Sequence, residues 1–205
     1  MASLSVTAPR TLVDVLVARR RAAAPSPWVL DAALVAAFSV FIALTARLVI
    51  PLPFTPVPIT GSTFGVLFTG ALLGGRRGAL AVLLYLAEGA LGLPVFASGA
   101  GTAYFLGPTA GYLLTYPLAA GLVGLLAERG WDRRPSTTVL AMVIGNAVIY
   151  AGGVLWLSSF SGGIVGAVRQ GMLPFLPGDA LKIALAAAAL PGGWAFVRRR
   201  GCGDR

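Results

Sequence analysis

Histidine is absent from this 205-residue sequence, and cysteine occurs once, as Cys202 near the C-terminus. A single thiol excludes a disulfide framework, and with no histidine there is no cluster at metal-ligand spacing, so no metal and no cofactor is expected. Charge is scarce as well. Only 11% of the residues are charged, with 7 carboxylates and one lysine, Lys182, where soluble domains carry about a quarter. What is abundant is apolar: 57% of the residues are hydrophobic and the mean hydropathy is +0.85. Several runs reach the roughly 17–25 residues needed to cross a bilayer as a helix. The chain therefore reads as an all-α integral membrane protein embedded in a lipid bilayer.

A net charge of +9 can signal nucleic-acid binding, so its placement matters. The arginines gather at Arg10, Arg19–Arg21, Arg76–Arg77, Arg129 with Arg133–Arg134, and Arg198–Arg200 with Arg205. Each group lies between apolar runs or at a chain end, as cytoplasmic loops do under the positive-inside rule. No aromatic or polar side chains are interleaved with them on one face, so no nucleic-acid partner is expected.

The runs predict six transmembrane helices, over Trp28–Ile50, Thr60–Leu73, Ala79–Leu91, Pro108–Ala127, Ser136–Leu157 and Pro177–Val197. Six crossings place every arginine group and both termini in the cytoplasm. Residues 1–27 are expected to form a cytoplasmic lead, amphipathic or disordered. Residues 28–197 form the membrane domain and 198–205 a basic cytoplasmic tail. Outside lie the proline-rich Pro51–Ile59 and two glycine-rich segments, Gly92–Gly107 and Ser158–Leu176. These two are too apolar for solvated linkers, and irregular backbone at membrane depth is tolerated where it lines a cavity. They are expected to fold over an outward-opening pocket.

Lys182 lies within the last apolar run, three residues after Asp179. Positions i and i+3 share a helix face, and ionisable groups inside a span usually face a cavity and serve function. The pair offers one acceptor and one cationic donor. That suits a small group with both N–H and C=O, or a carboxylate; a self-neutralising structural pair is the alternative. Glu88 is either an interfacial carboxylate or part of the cavity wall, and Asn146 is an interhelical hydrogen-bonding group or part of the site. Arg47 is expected to snorkel from the outer end of the first helix. Small residues at i, i+4 in that helix, Ala32/Ala36 and Ala33/Ala37, allow another helix to approach closely. No serine or cysteine has a histidine to activate it, and Gly74–Gly78 lacks the ending of a phosphate loop. The chain is therefore expected to be neither an enzyme nor an ATPase.

Five segments recur together in one known family: Pro56–Thr60, Leu73–Gly78, Gly89–Ala97, Leu106–Tyr112 and Pro174–Lys182. Over about residues 30–195 the chain resembles the BioY family, the biotin-binding S components of energy-coupling factor (ECF) transporters. The resemblance implies the six-helix S-component fold and biotin as ligand, contacted by Asp179 and Lys182. Lys182 then meets either the ureido carbonyl or the valerate carboxylate. It further implies Ser98 and Phe96 in a pocket loop, Tyr112 as a wall, and an alanine face on the first helix docking on a transmembrane T component. Two separate ATPase subunits would drive transport. A stand-alone or proton-coupled transporter of biotin or a similar vitamin is the alternative, with Asp179, Glu88 and Lys182 relaying protons.

Overall fold

Prolines and glycines set where the helices of this chain stop. The computed structural model describes residues 11–23 and 26–203. It is mostly helical, with α1 (Leu12–Ala23), α2 (Pro27–Ala46), α3 (Ser62–Leu73), α4 (Gly75–Ala90), α5 (Ala110–Glu128), α6 (Pro135–Leu157), α7 (Ile164–Gly171) and α8 (Leu176–Gly203). Arg10 and Arg205, and with them the first part of the expected lead, lie outside the described residues.

Three boundaries differ from expectation for identifiable reasons. The first long helix ends at Ala46 rather than Ile50, because Pro51 biases Ile50 away from helical backbone. Val49–Ile50 (β1) instead pairs antiparallel with Ile59–Thr60 (β2), Val49 opposite Thr60. The expected turn at Gly74–Gly78 shrinks to one residue. Gly74 adopts φ +87°, which reverses the chain at once, so Gly75–Gly78 becomes the first turn of α4. Any Cβ at position 74 would meet Glu128 Oε1 at 2.4 Å. That same oxygen accepts the Gly75 N–H at 2.9 Å, a carboxylate at a helix N-terminus. Lastly, α8 runs through Arg198–Arg200 to Gly203, so no break in secondary structure separates the expected membrane domain from the tail.

α5 is the central helix, packed against α3, α4 and α6, with 11 of its 19 residues buried. Its small residues let backbones touch. A Cβ on Gly70 of α3 would lie 2.3 Å from the Ala120 carbonyl oxygen, and one on Gly124 would lie 2.4 Å from the Gly75 nitrogen. Close approach of this kind is how helices gain contact in lipid, where no hydrophobic force separates protein from solvent. Among the described residues, four segments are long and apolar enough to cross a membrane: Trp28–Ala46, Ala110–Glu128, Pro135–Leu157 and a stretch within Ile164–Arg199. α3 and α4 are 12 and 16 residues long, below the ~20 of a full crossing.

α1 lies against the end of the bundle that carries the α3–α4 turn. Val13 packs with Leu73 and Ala81, and Leu12 fits over Gly193 of α8. Thr11 and Asp14 form a reciprocal cap, Thr11 Oγ1 accepting the Asp14 N–H at 3.2 Å while Asp14 Oδ2 accepts the Thr11 N–H at 3.3 Å. Arg77 ties the helix down, with Nη2 2.6 Å from Asp14 Oδ1 and Nη1 3.4 Å from Asp31 Oδ1.

Burial by itself would raise the Asp14 carboxyl, but the Arg77 hydrogen bond and charge, helped by Thr11, hold it below the ordinary carboxylate value. A depressed carboxyl stabilises the fold fully above its unfolded pKa and loses that contribution as pH falls through its folded one. Asp14→Asn should therefore cost about 1 kcal/mol at neutral pH. Melting temperatures of parent and variant should converge below pH ~4. A gap that stays constant with pH would remove the ion pair as its cause.

On the same end, the α5–α6 connection is pinned to α8. Trp194 Nε1 donates to Asp132 Oδ2 at 2.5 Å, and Arg133 stacks 4.6 Å from the Trp194 ring. Burial pushes the Asp132 carboxyl up, against the pull of the Trp194 bond.

Candidate binding site

Leu176–Pro177 opens α8, and proline in a first turn is preorganised for helix. The helix then presents Asp179 and, one turn on, Lys182 to the bundle interior. Asp179 is 4% exposed. Lys182 Nζ donates to Asp179 Oδ1 at 3.0 Å and to Thr63 Oγ1 of α3 at 2.8 Å, and the Tyr150 hydroxyl of α6 donates to Asp179 Oδ2. Three helices thus converge on one ion pair. Both carboxylate oxygens have donors, which a buried charge requires.

The pair borders a cavity of about 610 Å³, its open mouth included, within the usual range for small-molecule sites. Seven aromatic rings line it: Tyr85, Phe96, Tyr104, Tyr112, Tyr116, Tyr150 and Phe175. Thr60 of β2 and Ser62 and Thr63 at the start of α3 add hydroxyls, and Val57–Pro58 comes from the segment before β2. Both glycine-rich segments contribute, the first through Phe96, Ala97 and Tyr104, the second through Gly171 and Phe175.

Phe96 is fully buried. Its ring meets Tyr85 edge-on at 5.5 Å and Phe105 edge-on at 5.6 Å, with Tyr104 tilted at 4.8 Å. It rests on Gly89 of α4, where a Cβ would lie 2.1 Å from Phe96 Cζ. Tyr112 donates to the Gly171 carbonyl at 2.8 Å, its ring over Gly153. Tyr112→Phe leaves that buried carbonyl unpaired, a loss of about 1–3 kcal/mol. If part of it appears in binding, ligand affinity should fall about fivefold, as read by titration calorimetry. Unchanged affinity would make the hydroxyl irrelevant to the wall.

Of the residues singled out in the sequence, Asp179, Lys182, Phe96 and Tyr112 meet around this cavity. Ser98 does not line it; it is exposed, in the turn closed by the Phe96–Gly99 bridge. Glu88 is half-buried away from the wall, its Oε1 accepting from Ser39 Oγ of α2 at 2.8 Å. Asn146 lies beside a smaller cavity, and its Oδ1 has no hydrogen-bond partner among the described residues. Ala32, Ala33, Ala36 and Ala37 are all exposed on α2. Arg47, expected to snorkel, donates to the Pro94 carbonyl and so joins the end of α2 to the first glycine-rich segment.

Sequence reasoning missed Tyr150, Thr63, Tyr85, Tyr104 and Tyr116. Tyr150 had a signal: it stands four residues after Asn146, on the same helix face. Thr63 had none, since one threonine in an apolar helix is commonplace.

The BioY family model matches residues 17–199. The chain is 39% identical over 166 residues to a biotin transporter BioY of Rhizobium etli, covering 77% of this chain and 89% of that protein. It is 41% identical over 164 residues to one of Rhodobacter capsulatus, covering 69% and 85%, and 41% identical over 140 residues to one of Thermotoga maritima, covering 67% and 81%. Among solved structures, the S-component for biotin from an ECF-type ABC transporter superposes with a TM-score of 0.70 at 28% identity, covering 86% of this chain and 93% of that one. With nearly the whole membrane-embedded part of the sequence matched in this way, the chain belongs to the BioY family.

Proposed function

We propose that this chain captures biotin at the outer face of the cell membrane and presents it for uptake as the S component of an ECF transporter. The observation that carries this reading is the buried Asp179–Lys182 pair, held by Tyr150 and Thr63 at the edge of an aromatic cavity. Biotin has the complementary parts. Its ureido ring offers N–H donors to the carboxylate and a carbonyl to the ammonium, and its thiophane ring and aliphatic tail suit aromatic walls. The relatives' names and the solved S-component support the same ligand.

In this reading α2–α6 and α8 each cross the bilayer, making the protein multi-pass with both termini in the cytoplasm. The short α3 and α4 cross as a hairpin sheltered by their neighbours, and the arginine groups set the orientation. The exposed alanines Ala32, Ala33, Ala36 and Ala37 of α2 supply a smooth face for a transmembrane T component, which two ATPase subunits energise.

Equilibrium binding of labelled biotin to the detergent-purified chain tests the proposal: saturable, stoichiometric binding is expected. A folded protein that binds none would overturn it. Uptake abolished by ATP depletion but indifferent to a collapsed proton gradient would support the ECF assignment over a proton-coupled carrier.

A further inference from the structure

Lys182 borders two cavities. Besides the main one, it lines a smaller space of about 190 Å³ between α3, α6 and α8, together with Thr63, Asn146 and Met142. Asn146 is 8% exposed, and its Oδ1 accepts no hydrogen bond from any described residue. A buried amide oxygen left in that condition is costly, and in a chain otherwise sparing of polar groups it calls for a partner.

The register of α6 and α8 supplies one. The two helices run antiparallel, joined through α7. Tyr150 meets Asp179 across them. One turn back along α6 is Asn146, four residues from Tyr150. One turn on along α8 is Lys182, three residues from Asp179. Side chains so spaced lie one above the other, so the Tyr150–Asp179 contact has a second rung beneath it, Asn146 opposite Lys182. The donor count agrees. An ammonium carries three N–H groups; Asp179 Oδ1 takes one and Thr63 Oγ1 another, and the third has no acceptor in the main cavity wall until a ligand arrives.

We propose that Asn146 is a positioning residue that competes with the ligand for the third N–H of Lys182. In the structure the ammonium holds Asp179 and Thr63 while Asn146 Oδ1 stands open beside the small cavity that both residues line; a swing of the lysine toward that cavity gives the third proton to Asn146 Oδ1. A bound ligand takes it into the main cavity. Asp179 and Thr63 keep the other two protons throughout, so the exchange moves the ammonium without breaking its ion pair. The competition lowers affinity below what the pocket's contacts alone would give, and it offers the lysine somewhere to go when the ligand leaves. This inference rests on the biotin-capture reading.

The test is biotin binding and dissociation by purified Asn146→Leu and Asn146→Asp variants, beside the parent. Leucine removes the competing acceptor, and replacing an orphaned polar group with an apolar one of similar shape is compatible with folding. It should tighten binding about threefold or more and slow dissociation in proportion, because no second acceptor then draws the lysine away from its ligand-ready position. Aspartate strengthens the competitor and should weaken binding about tenfold or more by the same reasoning. Opposite signs are the expected result. A merely structural asparagine would weaken binding in both variants or leave it unchanged, and either outcome for a folded leucine variant overturns the proposal. If the aspartate variant fails to fold, the sign of the leucine effect alone decides. If the parent itself binds no biotin, the failure lies with the capture reading instead.

Discussion

Asp179→Asn should reduce biotin affinity by about tenfold to a hundredfold, since a hydrogen bond from the ligand to a charged carboxylate is worth about 1.5–3 kcal/mol and each 1.4 kcal/mol is tenfold. Asparagine preserves the side-chain shape, so the loss is electrostatic. Lys182, with a side chain only 18% exposed, is left beside Thr63 without a counter-charge. The amide also turns one acceptor into a donor. Both Asp179 oxygens accept in the parent, from Tyr150 and from Lys182; an NH₂ in either place faces another donor. A ureido N–H approaching from the cavity meets the same mismatch. Calorimetric titration of protein that remains monodisperse after purification is the measurement. Binding within tenfold of the parent would remove the carboxylate from the ligand's anchor and return the pair to a structural role.

Gly89→Val should abolish or nearly abolish ligand binding without touching a polar group. Its added Cβ would lie 2.1 Å from Phe96 Cζ and 2.4 and 2.5 Å from the two Cε atoms, so the ring must leave. Tyr85, Tyr104 and Phe105 already surround Phe96, and interiors packed at crystal density leave no spare volume on those sides. The open direction is the cavity itself. A displaced phenyl there occupies the ligand's place, and overpacking adds about 1–3 kcal/mol of destabilisation. Gly107→Ala is the matched control. Its Cβ would make only an ordinary 3.6 Å contact and its φ of −79° suits any residue, so binding should be unchanged. Phe96→Leu combined with Gly89→Ala should recover part of the lost affinity. Equal losses at 89 and 107 would mean that this whole segment tolerates no change, and would disconnect the effect from Phe96.

Much of this arrangement is legible in the sequence because of how a bilayer constrains a chain. Apolar runs and prolines locate α2–α6 and the start of α8 to within about four residues, since a membrane leaves few alternatives to helix. Boundaries went astray where a local event outweighed composition: the pairing of Val49–Ile50 with Ile59–Thr60, and the single-residue reversal at Gly74. The charged half of the site stood out because Asp179 and Lys182 are rare residue types in an apolar run. Its neutral half did not. A tyrosine or threonine inside a span is ordinary, and only the packing of α3, α6 and α8 shows that Tyr150 and Thr63 meet the ion pair. A family resemblance does not fix the side chain of Ser98, because neighbouring residues in a loop point different ways; Phe96, two positions earlier, is buried and Ser98 is exposed.

The reversal at Gly74 has a mechanical consequence. α3 and α4 leave it as two stiff arms of 12 and 16 residues, about 18 and 24 Å long at 1.5 Å per residue, with no slack at the vertex. Thr63, which holds the lysine, is near the tip of one arm, and Gly89, on which Phe96 rests, is near the tip of the other. Arms joined without slack fix the spacing between the polar and the aromatic sides of the pocket, so a change of angle at the vertex is felt on both sides at once.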